Sequence, residues 1–581
     1  MLNMRSGFRN TLLVAACCGA TACVSAPAPT WLYGGVFEEI QTAEEYSNFL
    51  AARYAGMAGE PAAAAGFYRE AFNTQPDDPV LLERAVFSSM IAGQVGEAIA
   101  VSTGADPQAS AGSPSAQLAL VVDDIVSNRA RRALLRLKTS GLGAINADLT
   151  GFLTAWLTAA EDPDAGLAVL DQLPPRRLLA GEQACMKGLI LMSAGREDDA
   201  LGAYEQAARL PLGSSNFLMS LRARVLAAKD PAAARKLIEA QVEETGATPE
   251  TDYVLHLLEA GKMVDPPRLT ARQGAAVAVY LASAGGIARS SPELATMRQS
   301  LALHLDPSLA PARLMLADAL NEQERTEDAI AVLGEIPQDS EWSASARLQQ
   351  AWFYDRLERP VEALAAADQA LAQSRRRDVL VGVADLYRIN RNYLKAEGLY
   401  SEVIRADLDV KHPDWRVLFA RASSREASGN WTGAEADALA ALAVEPDRAE
   451  VQNFLGYGWV NRGEKVKEGM DLIRKAVASR PDQGYIVDSL GWAHFRLGEY
   501  EAAVENLERA AELSPSDSDI VDHLGDAYWR AGRHAEASFE WRRALELKPQ
   551  PQRETALREK LDRGLPPAAS GNLASAQQGT P

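Results

Sequence analysis

The sequence predicts an all-α fold, a superhelical solenoid of about ten to twelve helix-turn-helix repeats. Three observations carry this prediction. Small residues return at a fixed spacing of 34 positions, apolar residues recur at helical intervals, and 581 residues are too many for one compact core. With 47% apolar and 24% charged residues, the composition is that of an ordered protein. A repeat array fits all of this, because each unit buries its apolar face on its neighbours.

The clearest repeats lie near the C-terminus, where five positions recur 34 residues apart. They are Gly491 and Gly525, Gly498 and Gly532, Ala503 and Ala537, Ala510 and Ala544, and Pro515 and Pro549. Small side chains let two helices cross closely, a glycine can end a helix in the left-handed region, and proline cannot continue a helix. The period and the order resemble the tetratricopeptide repeat (TPR), which implies a protein-binding solenoid.

Less regular units extend this frame toward the N-terminus. Two units end at Pro481 and Pro446, and a clear early unit runs from Gly59 to Pro76. In weaker units the small residue of the second helix is Ala329, Ala363 and Ala396, and in the most loosely matched ones it is Ala165 and Ala233. We interpret residues 105–115 as an inserted loop, and residues 245–290 as a bend between two halves of the array.

The predicted organisation has six parts. They are a lipoprotein signal peptide (1–22), a lipidated N-terminus with a linker (23–39), an N-terminal repeat array (40–260), a C-terminal repeat array (261–550), a capping helix (551–564) and a disordered tail (565–581). The last helix is polar, as the exposed end of a solenoid requires.

The first thirty residues have a secretory signal pattern. Arg5 and Arg9 precede a short apolar run that cannot span a bilayer, and small residues follow it. The segment Ala20-Thr21-Ala22-Cys23 resembles a bacterial lipobox, in which the cysteine is acylated and becomes the mature N-terminus. Cys17 is the rival site, but cleavage before it would leave an apolar region of only about six residues.

Two further alternatives concern this segment. An ordinary signal peptide cleaved near Ala22 or Ala26 would give a soluble periplasmic protein. If Cys23 is acylated, several acyl chains would anchor the protein stably. Val24 after the cysteine then resembles the pattern for sorting to the outer membrane, with the protein facing the periplasm.

Composition and motifs argue against nucleic acid, metal and catalysis. The net charge of −19 repels phosphate backbones. Apart from the cysteines near the N-terminus, the chain has only Cys185, which lies in a helical apolar pattern and is expected to be a core residue. The histidines are scattered without a metal-binding or catalytic motif: His256, His304, His412, His494, His523 and His534. We expect no cofactor, no small-molecule substrate and no enzyme activity.

The remaining candidate site is a groove lined by the first helices of the last repeats. In TPR proteins the second, fifth, ninth and twelfth residues of each unit usually face this groove. Ten predicted groove residues follow: Asn453, Tyr457, Tyr485, Asp488, Trp492, Phe495, Asp519, Asp522, Asp526 and Trp529. Aromatic residues interleaved with acids suit a helix or an extended peptide with apolar anchors and basic flanks. Alternatively, the aromatic rings partly fill the groove for stability.

The C-terminal block also resembles one bacterial group. The runs Asn453-Phe454-Leu455-Gly456-Tyr457, Asp488-Ser489-Leu490-Gly491-Trp492 and His523-Leu524-Gly525-Asp526 carry the resemblance. The group consists of long TPR lipoproteins of the outer membrane, including the lipoprotein that binds a carboxyl-terminal processing protease. The resemblance implies an adaptor that presents cell-wall hydrolases to a periplasmic protease. An assembly or pilot lipoprotein for an envelope machine, such as a pilus secretin or a polysaccharide exporter, is the alternative.

Overall fold

The computed structural model describes residues 43–140, 142–143, 146–173, 179–210, 215–245, 247–262, 264, 268–284, 291–409 and 413–566. These residues form 31 helices and contain no strand. The predicted signal peptide, Cys17, Cys23 and most of the predicted tail lie outside the described residues.

The helices follow one another with short connections along the whole described chain. In order they are α1 (Ala43–Met57), α2 (Pro61–Thr74), α3 (Pro79–Ile91), α4 (Val95–Gly104), α5 (Pro107–Gly112), α6 (Pro114–Val126), α7 (Ala130–Thr139), α8 (Ala147–Ala159), α9 (Pro163–Asp171), α10 (Ala180–Ser193), α11 (Glu197–Ala208), α12 (Ser215–Lys229), α13 (Pro231–Thr245), α14 (Pro249–Glu259), α15 (Ala271–Ala284), α16 (Pro292–Leu305), α17 (Ala310–Glu322), α18 (Thr326–Gly334), α19 (Ser343–Arg356), α20 (Pro360–Gln373), α21 (Arg377–Ile389), α22 (Tyr393–Asp409), α23 (Trp415–Ala427), α24 (Trp431–Val444), α25 (Ala449–Arg462), α26 (Val466–Ser479), α27 (Gly484–Leu497), α28 (Tyr500–Leu513), α29 (Ser518–Arg530), α30 (His534–Glu546) and α31 (Pro551–Arg563).

Most helices pair into hairpins that stack on the next hairpin, so the predicted fold class is confirmed. The pairs are α1–α2, α3–α4, α6–α7, α8–α9, α10–α11, α12–α13, α15–α16, α17–α18, α19–α20, α21–α22, α23–α24, α25–α26, α27–α28 and α29–α30. Within the described residues this is more than the ten to twelve repeats predicted. Helices α5, α14 and α31 stand outside the pairs.

One local prediction is wrong, because part of the expected loop at 105–115 is helical. The Asp106 side chain accepts hydrogen bonds from the backbone N–H groups of Gln108 and Ala109, and Pro107 begins α5. Ser113 caps α6 in the same way, with Pro114 in the first turn. An Asp-Pro or Ser-Pro pair is a good helix start, since the cap accepts the free N–H groups and proline needs no donor there. Composition alone had suggested a loop.

A recurring backbone conformation shows where each repeat of the C-terminal array turns from its first helix to its second. Just after each first helix from α17 to α29, one residue has a positive φ angle: Glu324, Glu358, Arg391, Gly429, Gly463, Gly498 and Gly532. This left-handed residue turns the chain into the second helix. In the three upstream units it is not glycine, which costs backbone strain. A search for recurring glycines therefore misses these turns.

The hairpin α15–α16 packs against the first helices α3, α6, α8 and α10, and α16 also packs against α17 of the next hairpin. The Trp156 indole N–H of α8 donates to the Ala271 carbonyl of α15 over 2.9 Å. Within the hairpin, the Arg272 guanidinium of α15 donates to the His304 carbonyl of α16 over 3.0 Å. Arg298, almost fully buried in α16, donates to the Ala282 carbonyl over 2.8 Å. The chain thereby covers much of the first-helix face of its own N-terminal array.

The hydrophobic core of the N-terminal array includes residues of α15 and α16. The predicted boundary between the two arrays at residue 260 stays a prediction. Residues of α15 and α16 share one hydrophobic core cluster with residues from Ala52 to Val225. The sequence frame had placed both helices in the C-terminal array. Hydrophobic contact joins them to the helices that precede them, and α16 also to α17.

Close helix crossing explains the glycines of the last repeats and gives a first prediction. A Cβ atom on Gly456 of α25 would lie 2.6 Å from the Gly469 carbonyl oxygen of α26, which is backbone and cannot rotate away. We expect Gly456→Ala to lower the free energy of unfolding of these repeats by about 2 kcal/mol, a typical cost of overpacking. Chemical denaturation followed by circular dichroism measures the change.

Gly398→Ala in α22 is the matched control for that substitution. No atom lies within 4 Å of its new Cβ. Alanine is the better helix former, so we expect this variant to be neutral or more stable by up to about 1 kcal/mol. Equal losses in both variants would contradict the packing explanation.

Candidate protein-binding groove

The first helices α25, α27 and α29 lie side by side and form the surface on which the predicted groove residues fall. Asn453, Asp488 and Asp522 each lie ten positions before a left-handed residue, so they occupy equivalent places on the three helices. Tyr457, Trp492 and Asp526 form the equivalent row one helical turn later. We call this first-helix surface the groove.

At the centre of the groove, a stack of rings joins α27 to α29. The Trp492 ring lies 4.2 Å from the His523 ring and 4.7 Å from the Phe495 ring, both in stacked geometry. His523 Nδ1 lies 2.9 Å from a carboxylate oxygen of Asp488. Burial lowers the pKa of His523, but the neighbouring carboxylates, Asp488 above all, outweigh it and the pKa is raised. The predicted Trp492, Phe495 and Asp488 therefore do come together.

A polar contact joins α25 to α27 beside this stack. Asn461 Oδ1 accepts a hydrogen bond of 2.9 Å from the Arg496 guanidinium and one of 3.5 Å from the Trp492 indole. The tryptophan is thus held on one side by an amide and on the other by an imidazole. Such a ring is pre-positioned for contact with a partner at low entropic cost.

The N-terminal part of the predicted groove is less occupied by its own chain. Tyr457 and Tyr485 are half-buried. Burial, helped by the Asp488 carboxylate, raises the pKa of Tyr457 to about 12. Burial and the Glu450 carboxylate also raise the pKa of Tyr485. Both phenols therefore stay neutral at physiological pH.

Asn453 is the one predicted groove residue with an unsatisfied polar atom. Its side chain is largely buried, with 8% of the residue exposed, and its Oδ1 atom accepts no hydrogen bond from the described residues. A buried carbonyl oxygen without a donor costs about 1–3 kcal/mol.

The acidic residues at the C-terminal end of the groove are paired within the chain. Lys560 Nζ of α31 lies 2.6 Å from Asp522 and 2.7 Å from Asp526, and Arg553 Nε lies 3.1 Å from Asp519. Burial raises the pKa of Asp526 despite the opposing Lys560 ammonium. These three carboxylates were predicted to face a partner, and the structure places them against the capping helix.

The spacing of these ion pairs explains why α31 lies there. Lys560 is 34 positions after Asp526, and Arg553 is 34 positions after Asp519. Helix α31 therefore continues the stack as the first helix of a half repeat, with bases opposite the acids of α29. The predicted Trp529 is also close to the end of this helix, because a Cβ on Gly564 would lie 1.9 Å from its ring. Whether any of the ten residues contacts a partner stays a prediction.

The same frame reveals groove positions that the sequence analysis missed. Leu314, Leu348, Val381 and Phe419 lie ten positions before the left-handed residues of their own units, on α17, α19, α21 and α23. All four are half-buried. The groove is thus apolar at this row in its first four units and polar in its last three. These apolar residues can be found in the sequence only by counting back from the turn of each unit. Within the C-terminal array, glycine marks that turn only from Gly429 onward.

Other sequence candidates have structural explanations. Cys185 is fully buried, and burial, with Glu182 nearby, raises the pKa of its thiol. Within the described parts of the chain, no three His, Cys, Asp or Glu side chains are grouped to hold a metal ion. None of the described helices combines the length and apolarity needed to cross a bilayer.

Stacked helical hairpins with a groove of first helices define a TPR solenoid. Residues 419–484 and 489–552 match the Tetratricopeptide repeat family. A curated TPR repeat-containing protein of Pseudomonas aeruginosa is 30% identical over 134 residues, which is 22% of this chain and 23% of that protein. The match thus spans about a quarter of the relative's length.

Two solved structures are also similar to this chain. The Cut9–Hcn1 hetero-tetramer of APC/C has 14% sequence identity and a TM-score of 0.36, covering 91% of this chain and 97% of that one. A tetratricopeptide repeat protein from Parabacteroides merdae has 14% identity and a TM-score of 0.38, covering 43% of this chain and 97% of that one.

Proposed function

We propose that this protein is a protein-binding scaffold whose open surface is the groove from α17 to α27. The observation that carries the proposal is the row of half-buried Leu314, Leu348, Val381 and Phe419, which runs on to Asn453. The rest of the first-helix surface is largely used by the chain itself. Helices α15 and α16 cover much of the N-terminal array, and α31 pairs with the acids of α29.

The partner chemistry follows from the side chains that remain available. Apolar residues on α17 to α23, with Tyr457 and Trp492 further along, favour a segment with several apolar anchors. Because Asp519, Asp522 and Asp526 are already paired with Arg553 and Lys560, a partner needs basic flanks less than it needs apolar anchors.

The cellular role that we propose is that of an adaptor anchored to the outer membrane. In this proposal Cys23 carries the lipid, the solenoid faces the periplasm, and the groove binds a carboxyl-terminal processing protease and presents cell-wall hydrolases to it. The support is the lipobox-like segment and the resemblance of the C-terminal block to TPR lipoproteins of that kind. An assembly or pilot lipoprotein for a secretin or a polysaccharide exporter remains the alternative.

Photo-crosslinking in cells tests the groove and the role together. A photoreactive residue at Leu348 or Tyr457 is expected to capture a periplasmic serine protease and its substrates. The matched control is Leu439, an exposed residue on the second helix α24. Capture of a secretin or exporter would favour the alternative role. Equal capture from Leu439 and from the groove positions would contradict the groove itself.

A second prediction concerns affinity for the captured partner. Tyr457→Ala is expected to weaken binding by about tenfold or more, the loss of a typical aromatic anchor. Leu439→Ala, on the second helix of an adjacent repeat, is expected to leave the dissociation constant unchanged. Surface plasmon resonance measures both values, and circular dichroism checks that the variants are folded. A Tyr457→Ala variant that binds like the unaltered chain would remove this residue from the site.

A further inference from the structure

The first helix of the array has an apolar stripe that nothing described covers. Leu50, Tyr54 and Met57 recur at the i, i+4 and i+7 positions of α1 and are 42%, 76% and 75% exposed. The opposite side of the same helix buries Ala52 and Ala55 against the array. A helix that is apolar on two sides is normally buried on both.

The other end of the array shows how this chain finishes an exposed helix. Helix α31 buries Leu557, but its outer face carries Thr555, Arg558, Glu559 and Asp562, which are all exposed. Solenoids need such a polar outer face on their terminal units. From Ser47 onward, where the side chains of α1 are described, the large exposed side chains are apolar instead, so this part of α1 does not have the surface of a terminal helix.

We propose that residues 33–40 of this chain cover the stripe on α1 and act as the N-terminal cap of the solenoid. Tyr33, Val36, Phe37 and Ile40 recur at the i, i+3, i+4 and i+7 positions, the spacing of one apolar helix face. Their polar neighbours Glu38 and Glu39 would face water. The cap matches the stripe in length, since each spans two helical turns.

The position of this segment in the chain also favours it as the occupant. Only Gln41 and Thr42 separate Ile40 from the start of α1 at Ala43. Helix-to-helix connections of two to eight residues are normal, so the segment can turn back onto α1 without crossing another element. A covalently linked segment also acts at an effective concentration of about millimolar, which exceeds that of a separate partner.

The two other occupants fit the same surface less well. A bilayer with anionic lipids would be repelled by the four carboxylates of Glu38, Glu39, Glu44 and Glu45, which flank this region in the sequence. A second copy of the chain would need roughly 800 Å² of buried surface on each partner, and three side chains supply far less.

Cysteine pairing in the full chain tests the proposal. In the Phe37→Cys and Tyr54→Cys double variant, mild oxidation is expected to form an intramolecular disulfide. The rate should be about tenfold or more above that of the control pair Phe37→Cys and Leu439→Cys, because only the first pair is held together. The natural Cys185 is buried and should not compete, and Cys17, Cys18 and Cys23 are replaced by serine in both pairs. Disulfides between molecules would assign the stripe to a second copy, and equal rates in both pairs would overturn the proposal.

Hydrogen exchange gives a second readout that does not depend on new cysteines. Phe37→Ser is expected to speed amide exchange in α1 several-fold while leaving α25 to α29 unchanged. Glu38→Ser, on the predicted outer face of the same segment, is the matched control and should leave α1 as protected as before. Unchanged exchange in Phe37→Ser would overturn the proposal. Protection of α1 that appears only with vesicles containing phosphatidylglycerol would also overturn it, in favour of the bilayer.

Discussion

Replacing Lys560 with methionine is expected to destabilise the last repeats by about 3–5 kcal/mol, the usual cost of removing one partner from a buried ion pair. The Lys560 side chain is 18% exposed, and the carboxylates of Asp522 and Asp526 that it bridges are 9% and 8% exposed. Methionine keeps the length and the apolar stem, but it leaves two buried acids together. Chemical denaturation followed by tryptophan fluorescence measures the loss, since Trp541 donates a hydrogen bond of 3.0 Å to Asp526.

The same variant should respond to pH in a characteristic direction. The pKa of Asp526 is raised in the folded protein, mainly by burial, and Lys560 opposes this rise. Without the ammonium, the folded-state pKa should rise further, so the folded state binds a proton more tightly than the unfolded state. The free energy of unfolding of the variant should then fall as pH rises from the unfolded-state pKa of Asp526 through its folded-state pKa. The loss of stability relative to the unaltered chain should therefore be smaller at pH 4.5 than at pH 7.

Arg558→Met is the matched control on the same helix. Arg558 pairs with Glu554 one turn away, but both side chains are largely exposed. Exposed pairs of this kind contribute about 0–1 kcal/mol, so only a small change is expected. A Lys560→Met variant no less stable than Arg558→Met would show that α31 does not depend on the acids of α29.

The second large effect is expected from Gly274→Ala in α15. A Cβ atom there would lie 1.7 Å from the Trp156 ring, closer than any real contact allows. Either the indole or the whole helix must move, and the indole is itself tied to the Ala271 carbonyl. We expect a loss of about 3 kcal/mol, at the upper end of overpacking costs, together with faster hydrogen exchange in α6 and α8 as α15 lifts away.

Gly202→Ala is the matched control, because it replaces a helical glycine with alanine without steric overlap. Gly202 lies in α11 of the same array, with no atom within 4 Å of its new Cβ. It is expected to be neutral or to gain up to about 1 kcal/mol from better helix propensity. If Gly274→Ala leaves exchange in α6 and α8 unchanged, then α15 does not cover the N-terminal first helices as described.

The repeat itself was predictable because its signals are local. Each of Gly491, Ala503 and Gly525 is small where a neighbouring helix in the same or the next unit passes close by. Such contacts are repeated at every period, so the sequence displays them many times.

The upstream half of the groove was harder to predict because its turns lack glycine. Glu324, Glu358 and Arg391 take the left-handed conformation at a cost that the flanking helix packing offsets. Without those markers, Leu314 and Leu348 look like ordinary core residues. The groove prediction covered only the last three units, although Gly429 also marks the turn of the unit that holds Phe419.

The sequence by itself determined the helical class, the 34-residue period and the crossing points of paired helices, because these depend on residues close along the chain. Only the tertiary structure decided which parts of the first-helix surface are open. The Trp156 to Ala271 hydrogen bond joins residues 115 positions apart, and the Lys560 pairs depend on how α31 stacks. The first contact depends on how several units pack together, which a local pattern does not encode. The second joins neighbouring units one 34-residue period apart and requires only that α31 stacks on α29.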